Sequence, residues 1–407
     1  MTVNALVFEN SPVRLWGLDS TQRLRRQLRQ LNKEQSAKAG HVHWLDDQAD
    51  LPERGSVLVL NGTYLFEVRT LEGLLQQPGS ILLHDDGPIA AAFVDADKLP
   101  AVLTAMQDPG TRPPPGIQVI HTSDMEAYDE NLRRSTRPLL EQISPDRKAE
   151  LESRLYGNAY RGITDLVTKF LFPQPARQAV GLCAKLHLSP NTVTSLGLLL
   201  VIAACFLFLD GYYAWGLLAG WVMTFLDTVD GKLARVTIQS SKFGHLYDHI
   251  IDLVHPPFWY IYWGMSLASL QPVLGLEAGQ MYWLVVIAYV VGRVVEGLFP
   301  LLGRCSIFTW RPFDAWFRLI TARRNPCLIL LTLSLLIGRP DWGFIAVVFW
   351  SVLTTVILVL RLLQAVFARL GNGPLESWLS EDDVATGPHA YSYSVFGATR
   401  GAYAQGQ

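Results

Sequence analysis

The chain has 407 residues but only four cysteines, Cys183, Cys205, Cys305 and Cys327, and no pair with CxxC spacing. Each lies in or beside an apolar segment, which reads as packing rather than metal ligation or a disulfide framework. Charge is sparse too: Asp, Glu, Lys and Arg make up 17% of residues, with a formal net charge of −2. No long Lys/Arg run is present, so nothing marks a nucleic-acid groove and no nucleic-acid partner is expected. The N-terminal MTVNALVFE has no basic stretch followed by a cleavable apolar segment. No secretory signal peptide is expected.

Apolar residues, in contrast, make up 50% of the chain and concentrate after about residue 190. That asymmetry predicts a two-domain protein, an α/β front domain followed by an all-α membrane domain. In the front part, residues 3–8, 57–61 and 80–84 read as short buried strands, and the sheet continues through 90–94. Residues 21–32 and 68–77 have helical patterns. In the first, Leu24, Leu28 and Leu31 share one side. Strands alternating with helices imply an open α/β layer.

Residues 124–161 read as a polar bridge ending in an exposed connecting helix, with Ser144 as its cap and Pro145 in its first turn. Residues 161–187 read as a juxtamembrane element rather than a seventh span, interrupted by Pro173 and Pro175. Six membrane spans are predicted, near 193–209, 212–228, 244–265, 280–302, 325–337 and 342–365. Lys232, Arg235 and Lys242 fall between the second and third spans. Arg304, Arg311, Arg318, Arg323 and Arg324 fall between the fourth and fifth. The positive-inside tendency puts both connections, the front domain and the C-terminus in the cytoplasm. The expected boundaries are 1–123 for the front domain, 124–190 for the connecting helices, 191–368 for the bundle and 369–407 for a flexible tail.

The chemistry concentrates in FLDTVDGKLARVTIQSSKFGHLYDHIIDL. Asp227 and Asp230 are three apart, and Asp248 and Asp252 are four apart. On helices, each pair shares a face. Four uncompensated carboxylates beside apolar spans are costly, and hard divalent cations offer the natural compensation. Mg²⁺ is the expected ion, with Mn²⁺ as its substitute. Gly231, Ala234 and Gly244 put little bulk beside the acidic face, and Arg235 offers donors to phosphate. His245 and His249 flank the acids and read as local packing residues. Arg293 and Glu296, three apart, read equally as a buried pair or as the border of an acceptor cavity. The basic residues Arg311, Arg318, Arg323 and Arg324 read equally as positive-inside residues or as ligands for an anionic acceptor or lipid headgroup.

The pattern Asp227-x2-Asp230-Gly231-x2-Ala234-Arg235-x8-Gly244-x3-Asp248-x3-Asp252 resembles the complete signature of the CDP-alcohol phosphotransferase family. The resemblance covers roughly residues 155–368. It implies a six-span bundle, a homodimer within membrane lipids, and metal-dependent transfer of a phosphoalcohol from a CDP-alcohol donor to an alcohol or phosphorylated-alcohol acceptor, with release of CMP. It further implies that Asp227, Asp230, Asp248 and Asp252 bind metal and that Asp252 is the general base. Asn191, Thr194, Asp227, Gly231, Ala234, Arg235 and Gly244 would border the nucleotide. A prokaryotic cytoplasmic membrane is the expected location, with product in the phospholipid or phosphoinositol class.

The front domain is loosely similar to the nucleotidyltransferase fold of sugar-phosphate and inositol-phosphate cytidylyltransferases. The stretch after its first strand, FENSPVRLWGLDSTQRL, has Gly17 and Arg14 but no close set of glycines. Thr63 follows Gly62 where that family commonly has a metal-binding aspartate, and a neutral hydroxyl brings no carboxylate charge to Mg²⁺. A degenerate scaffolding or substrate-guiding domain is therefore expected. Asp85 and Asp86 read as a solvated acidic turn, with metal ligation as the alternative. Two other functions compete with the main reading. One is a bifunctional cytidylyltransferase–phosphotransferase, and the other is a non-enzymatic transporter or scaffold for nucleotide-linked lipid precursors.

Overall fold

The structure, a computed structural model, describes residues 2–34, 41–46, 54–84, 87–108, 113–267, 270–381 and 384–397. Asp85 and Asp86 lie outside the described residues. The chain divides into two compact units. The first comprises residues 1–129, 135–159 and 235–240; the second holds the remainder.

In chain order the front elements are β1 (Thr2–Asn10), α1 (Ser20–Glu34), β2 (His41–Trp44), β3 (Ser56–Gly62), β4 (Tyr64–Phe66) and α2 (Val68–Leu75). Then come β5 (Ser80–Leu83), β6 (Ile89–Asp95), α3 (Leu99–Gln107), β7 (Gln118–Ile120), β8 (Tyr128–Asp129), β9 (Arg134–Ser135), β10 (Leu140–Gln142) and α4 (Lys148–Asn158). The main sheet has the order β2-β1-β3-β6-β5-β7. Its β1 runs parallel to β2 and β3, while β6 is antiparallel to β3 and β5.

The VLVL run of β3 has no polar alternation because both faces of the sheet are covered. Leu58 and Leu60 pack with Leu24, Leu28 and Leu31 of α1 and Leu71 and Leu74 of α2. Val57 and Val59 pack on the other face with Val102 and Met106 of α3. The stretch compared with a phosphate loop is a tight turn instead. Leu15 and Leu18 bridge each other, with Trp16 and Gly17 at positive φ. Such a conformation is tolerated by Gly17 and strained at Trp16. Residues 235–240 also belong to this unit: Arg23 donates to the Val236 carbonyl at 3.2 Å and Arg26 to that of Thr237 at 2.6 Å. Burial pushes the Arg23 guanidinium down to about 10.

Two expectations about the bridge change. The helix starts at Lys148, after a turn in which Arg147 N–H donates to the Ser144 carbonyl, so Ser144 and Pro145 precede it. Nor is α4 an exposed connector. Leu151 is fully buried with Leu15, Leu65 and Ile143, and Glu152 accepts from the Trp16 backbone N–H at 3.0 Å.

The second unit is helical: a π turn at Val167–Leu171, α5 (Pro173–Lys185), α6 (Pro190–Leu209), α7 (Tyr213–Val236, grouped here through Ala234) and α8 (Lys242–Met265). These are followed by α9 (Ala278–Leu298), α10 (Pro312–Ile320), α11 (Arg324–Leu336), α12 (Pro340–Asn372) and α13 (Ala390–Phe396). Pro173 opens α5 rather than interrupting it, as a first-turn proline can. With 13 residues, α5 is shorter than the ~20 that cross a bilayer.

Among the described residues, three helices are individually long and apolar enough to cross a membrane: Pro190–Leu209, Ala278–Leu302 and Pro340–Gly371. A fourth span arises if α10 and α11, bent by 43°, count as one. The acidic helices α7 and α8 are not among them. Large apolar side chains such as Leu199, Phe206, Trp283 and Phe367 face outward, as a lipid-facing surface requires. The tail expected to be flexible is packed in its described part. Trp378 and Phe396 are buried, and Trp316 donates to Ser392 at 3.0 Å.

Candidate active site

All four acidic residues lie on α7 and α8 in the second unit. Ser241 caps α8 by accepting from Gly244 N–H at 3.0 Å, and Ser189 caps α6 by accepting from Thr192 N–H at 3.1 Å. The caps set where each helix begins. Capped in this way, α8 brings Gly244 beside Asn191 at the start of α6. A Cβ at Gly244 would sit 2.7 Å from Asn191 Oδ1, so a larger residue there requires the Asn191 side chain to shift.

Asp227, Asp230 and Asp248 each offer a carboxylate oxygen within 4.8 Å of the others. Thr194 on α6 donates its hydroxyl to Asp230 Oδ2 at 2.5 Å. The other oxygen, Asp230 Oδ1, is buried without a partner. An orphaned carboxylate oxygen beside two more carboxylates is the donor set that suits a hard divalent cation. The residues therefore fit the expected metal.

Asp252, expected in one set with the other three, is linked to Asp227 through a shared guanidinium. Arg324, the first residue of α11, donates Nη1 to Asp252 Oδ1 and Nη2 to Asp227 Oδ2, each at 2.5 Å. The bent break between α10 and α11 delivers this guanidinium to the carboxylates. A planar fork can span two acids in a way an ammonium cannot.

Asn191, Thr194 and Gly244 are thus gathered near the acids, and Gly231 and Ala234 are half-buried on α7. Arg235 falls in the first unit, where its Nε donates to the Ala159 carbonyl at 2.8 Å. The exposed His245 and His249 stack on each other and are not among the clustered ligands.

A second basic cluster surrounds Phe308, which is buried between α9 and α10. The guanidiniums of Arg318, Arg323 and Arg133 lie 5.3, 5.6 and 6.0 Å from its ring centroid. Glu296 pairs with both Arg293 and Arg323, so the Arg293–Glu296 pair belongs to a three-residue ionic network. Arg318 is buried, yet its Nε and Nη1 have no hydrogen-bond partner. Arg311 is exposed and lies over Trp310, apart from the Phe308 ring.

Sequence reasoning missed Arg133, because it lies about 175 residues upstream of Phe308 and no periodicity links them. It also missed Asp165 and Asn325. Asn325 donates to Asp165 Oδ1 at 2.9 Å and accepts from Thr224 of α7, tying α11 to the juxtamembrane segment. Burial works against ionisation of Asp165. Arg318 and the hydrogen bonds from Thr168 and Asn325 outweigh it and hold the carboxyl below the usual range. Asn325 directly follows Arg324, so the same network steadies the start of α11.

Residues 187–370 match the family described as CDP-alcohol phosphatidyltransferase. The match covers 184 of the 407 residues, and the acidic pairs on α7 and α8 lie inside it. Two curated proteins are similar to parts of the chain. The archaetidylinositol phosphate synthase of Pyrococcus horikoshii is 38% identical over 82 residues, 19% of this chain and 42% of that protein. The phosphatidylinositol phosphate synthase of Mycobacteroides abscessus is 37% identical over 67 residues, 16% of this chain and 30% of that protein. The chain therefore spans less than half the length of the curated relatives it matches.

Proposed function

We propose that the protein is a membrane phosphotransferase that moves a phosphoalcohol from a CDP-alcohol to a phosphorylated polyol of the inositol-phosphate type, releasing CMP. The observation that carries this reading is the convergence of Asp227, Asp230 and Asp248 around the partnerless Asp230 Oδ1. The names of the two relatives supply the acceptor class. The Phe308 arginine cluster supports it, because the unpaired donors of buried Arg318 suit a phosphate.

Asp227, Asp230 and Asp248 hold the metal in this reading, with Asp252 beside them. A bound Mg²⁺ would neutralise the pyrophosphate and the departing CMP. Asp252 takes the proton from the acceptor hydroxyl. The freed oxygen bonds to the β-phosphorus as the bond from that phosphorus to the bridging oxygen breaks, and CMP leaves with that oxygen. Asn191, Thr194, Gly231, Ala234 and Gly244 border the nucleotide, with Arg235 at the end of the same helix. Arg293, Arg318 and Arg323 hold the acceptor phosphate. Arg324 keeps the acids from repelling one another and orients Asp252.

The reading includes six spans, a homodimer, and a cytoplasmic site in a prokaryotic membrane. The front domain is a degenerate nucleotidyltransferase fold. Its tight Leu15–Leu18 turn, in place of a glycine-rich loop, favours a scaffolding role over nucleotide transfer. The test is a donor–acceptor panel with purified protein and Mg²⁺, read by CMP release and product mass. Release with a CDP-lipid and inositol phosphate is expected, and no release with any CDP-alcohol sinks the reading.

A further inference from the structure

After α12 the chain folds back onto the second unit. Leu375 bridges Gly303 and accepts from Arg304 N–H at 2.8 Å. Ser377 donates its hydroxyl to the Thr309 carbonyl at 2.9 Å, and the neighbouring Trp378 and Leu379 are buried. Further on, α13 docks on Trp316 of α10. The indole donates to Ser392 Oγ at 3.0 Å, Tyr391 stacks on it, and the Phe396 ring meets it edge-on at 4.9 Å.

Phe396 also takes part in a second contact. It is fully buried, and its ring lies 5.1 Å from Lys169 Nζ. That ammonium donates to the Gly162 carbonyl at 2.6 Å, while Gly162 N–H donates to the Leu132 carbonyl at 2.8 Å. A Cβ at Gly162 would strike the backbone carbonyls of both Phe396 and Arg133, and neither can swing aside as a side chain could. The turn at Glu130–Arg133, the stretch around Gly162 and the tail therefore meet at one point.

This junction holds Arg133. The turn is closed by Arg133 N–H donating to the Glu130 carbonyl at 3.3 Å, and Arg133 has a φ of 50°. That left-handed conformation is unfavourable for a residue with a side chain. The turn carries the guanidinium to 6.0 Å from the Phe308 ring centroid, where Arg318 and Arg323 also lie. A further like charge there is unfavourable as well. Surrounding structure must impose both features, and strain of this kind collects at ligand clamps. A phosphate at the cluster turns mutual repulsion into shared attraction, because its oxygens accept from several guanidiniums at once. Arg133, Gly162 and Phe396 all lie outside residues 187–370, whereas Arg318 and Arg323 lie inside them.

We propose that Arg133 is a further ligand of the acceptor phosphate and that Phe396 is its positioning residue, the docked tail holding the Glu130–Arg133 turn at the cluster. The proposal rests on the phosphotransfer reading for the acceptor's identity. The tail's hold on the turn is tested separately.

Two measurements on the full-length protein in nanodiscs decide it. In the first, hydrogen exchange read by mass spectrometry compares the unsubstituted protein with Phe396→Ala and with Phe396→Leu, which keeps much of the apolar volume without the ring. Peptides covering 130–134 and 160–165 should exchange on the order of tenfold faster in Phe396→Ala, and less so in Phe396→Leu, with the acidic helices unchanged. Should Phe396→Ala fail to fold, Phe396→Leu decides. Unchanged exchange at 130–134 overturns the proposal. In the second, CMP release gives KM for inositol phosphate and for the CDP-lipid. Arg133→Gln should raise the acceptor KM roughly tenfold and Phe396→Leu about threefold, with kcat and the donor KM within about twofold. The double variant should match Arg133→Gln alone, because the tail acts through that residue. Multiplied effects in the double variant, an unchanged acceptor KM in Arg133→Gln, or a donor KM that moves with the acceptor KM each overturn the proposal. Absence of CMP release from the unsubstituted protein would count against the phosphotransfer reading. Direct binding of inositol phosphate to the unsubstituted and Arg133→Gln proteins then decides the role of Arg133, and equal binding by the two overturns it.

Discussion

Arg324 holds Asp227 and Asp252 together, with one guanidinium nitrogen 2.5 Å from each carboxylate. The two acids come from different helices and belong to different halves of the acidic signature. Arg324→Gln removes the bridge and leaves two neighbouring anions. Turnover should fall on the order of tenfold, a barrier change of about 1.4 kcal/mol. Arg324→Lys should recover little, because an ammonium lacks the fork geometry. CMP release across a Mg²⁺ series measures both.

Asp230 carries the orphaned oxygen, so it should dominate metal affinity. EDTA should abolish CMP release, and Mg²⁺ or Mn²⁺ should restore it. Asp230→Asn should raise the Mg²⁺ concentration needed for half-maximal rate on the order of tenfold or more. Direct Mn²⁺ binding, followed by electron paramagnetic resonance, separates weakened binding from slowed chemistry.

Arg318 has unpaired donors in a buried cluster. Arg318→Gln should raise the KM for a phosphorylated acceptor by roughly tenfold, the loss expected for a charge-assisted hydrogen bond. The donor KM should stay within about twofold. A larger change in the donor KM than in the acceptor KM would remove Arg318 from the acceptor site.

Gly244→Ala pushes a methyl into Asn191 Oδ1. Either the Asn191 amide turns aside or α6 and α8 part, at a cost of about 1–3 kcal/mol. Activity should fall, and Asn191→Ala in the same chain should restore part of it by removing the clashing amide. Thermal unfolding and CMP release of the single and double variants give the coupling.

Asp165 supplies a pH test. Its carboxyl is held below the usual range in the folded protein, so its stabilisation is present above the unfolded value near 3.8 and is lost as pH falls through the folded value. Asp165→Asn should lower stability at pH 7 by about 1–3 kcal/mol. The gap from the unsubstituted protein should narrow as pH drops below about 3.8. Unfolding midpoints from pH 3 to 7 check it; a constant gap would contradict the shift.

The predicted front strands and helices reappear within a few residues, because the VLVL and Leu24/Leu28/Leu31 patterns are local signals of burial. The burial of the helix from Lys148 is not legible locally because its polar residues outnumber Leu151 and Tyr156, and Leu151 packs on distant Leu15 and Leu65 while Tyr156 packs on Trp16. The packed part of the tail was missed for the same reason: Phe396 has no local pattern to announce its contact with Trp316.

The acidic signature in the membrane half was the feature most legible before any fold was known. Spacings of three and four fix which side chains share a helix face, since the helical rise and turn are constant. Sequence alone thus determined two acidic pairs, small residues between them and the surrounding apolar segments. Tertiary structure decided that three acids meet at one point and that Arg324 links Asp252 to Asp227, one of the three. It also decided that Arg133 joins Arg318 and Arg323 around Phe308. Those outcomes depend on how helices distant in the chain pack side by side, and helical periodicity carries no information about that.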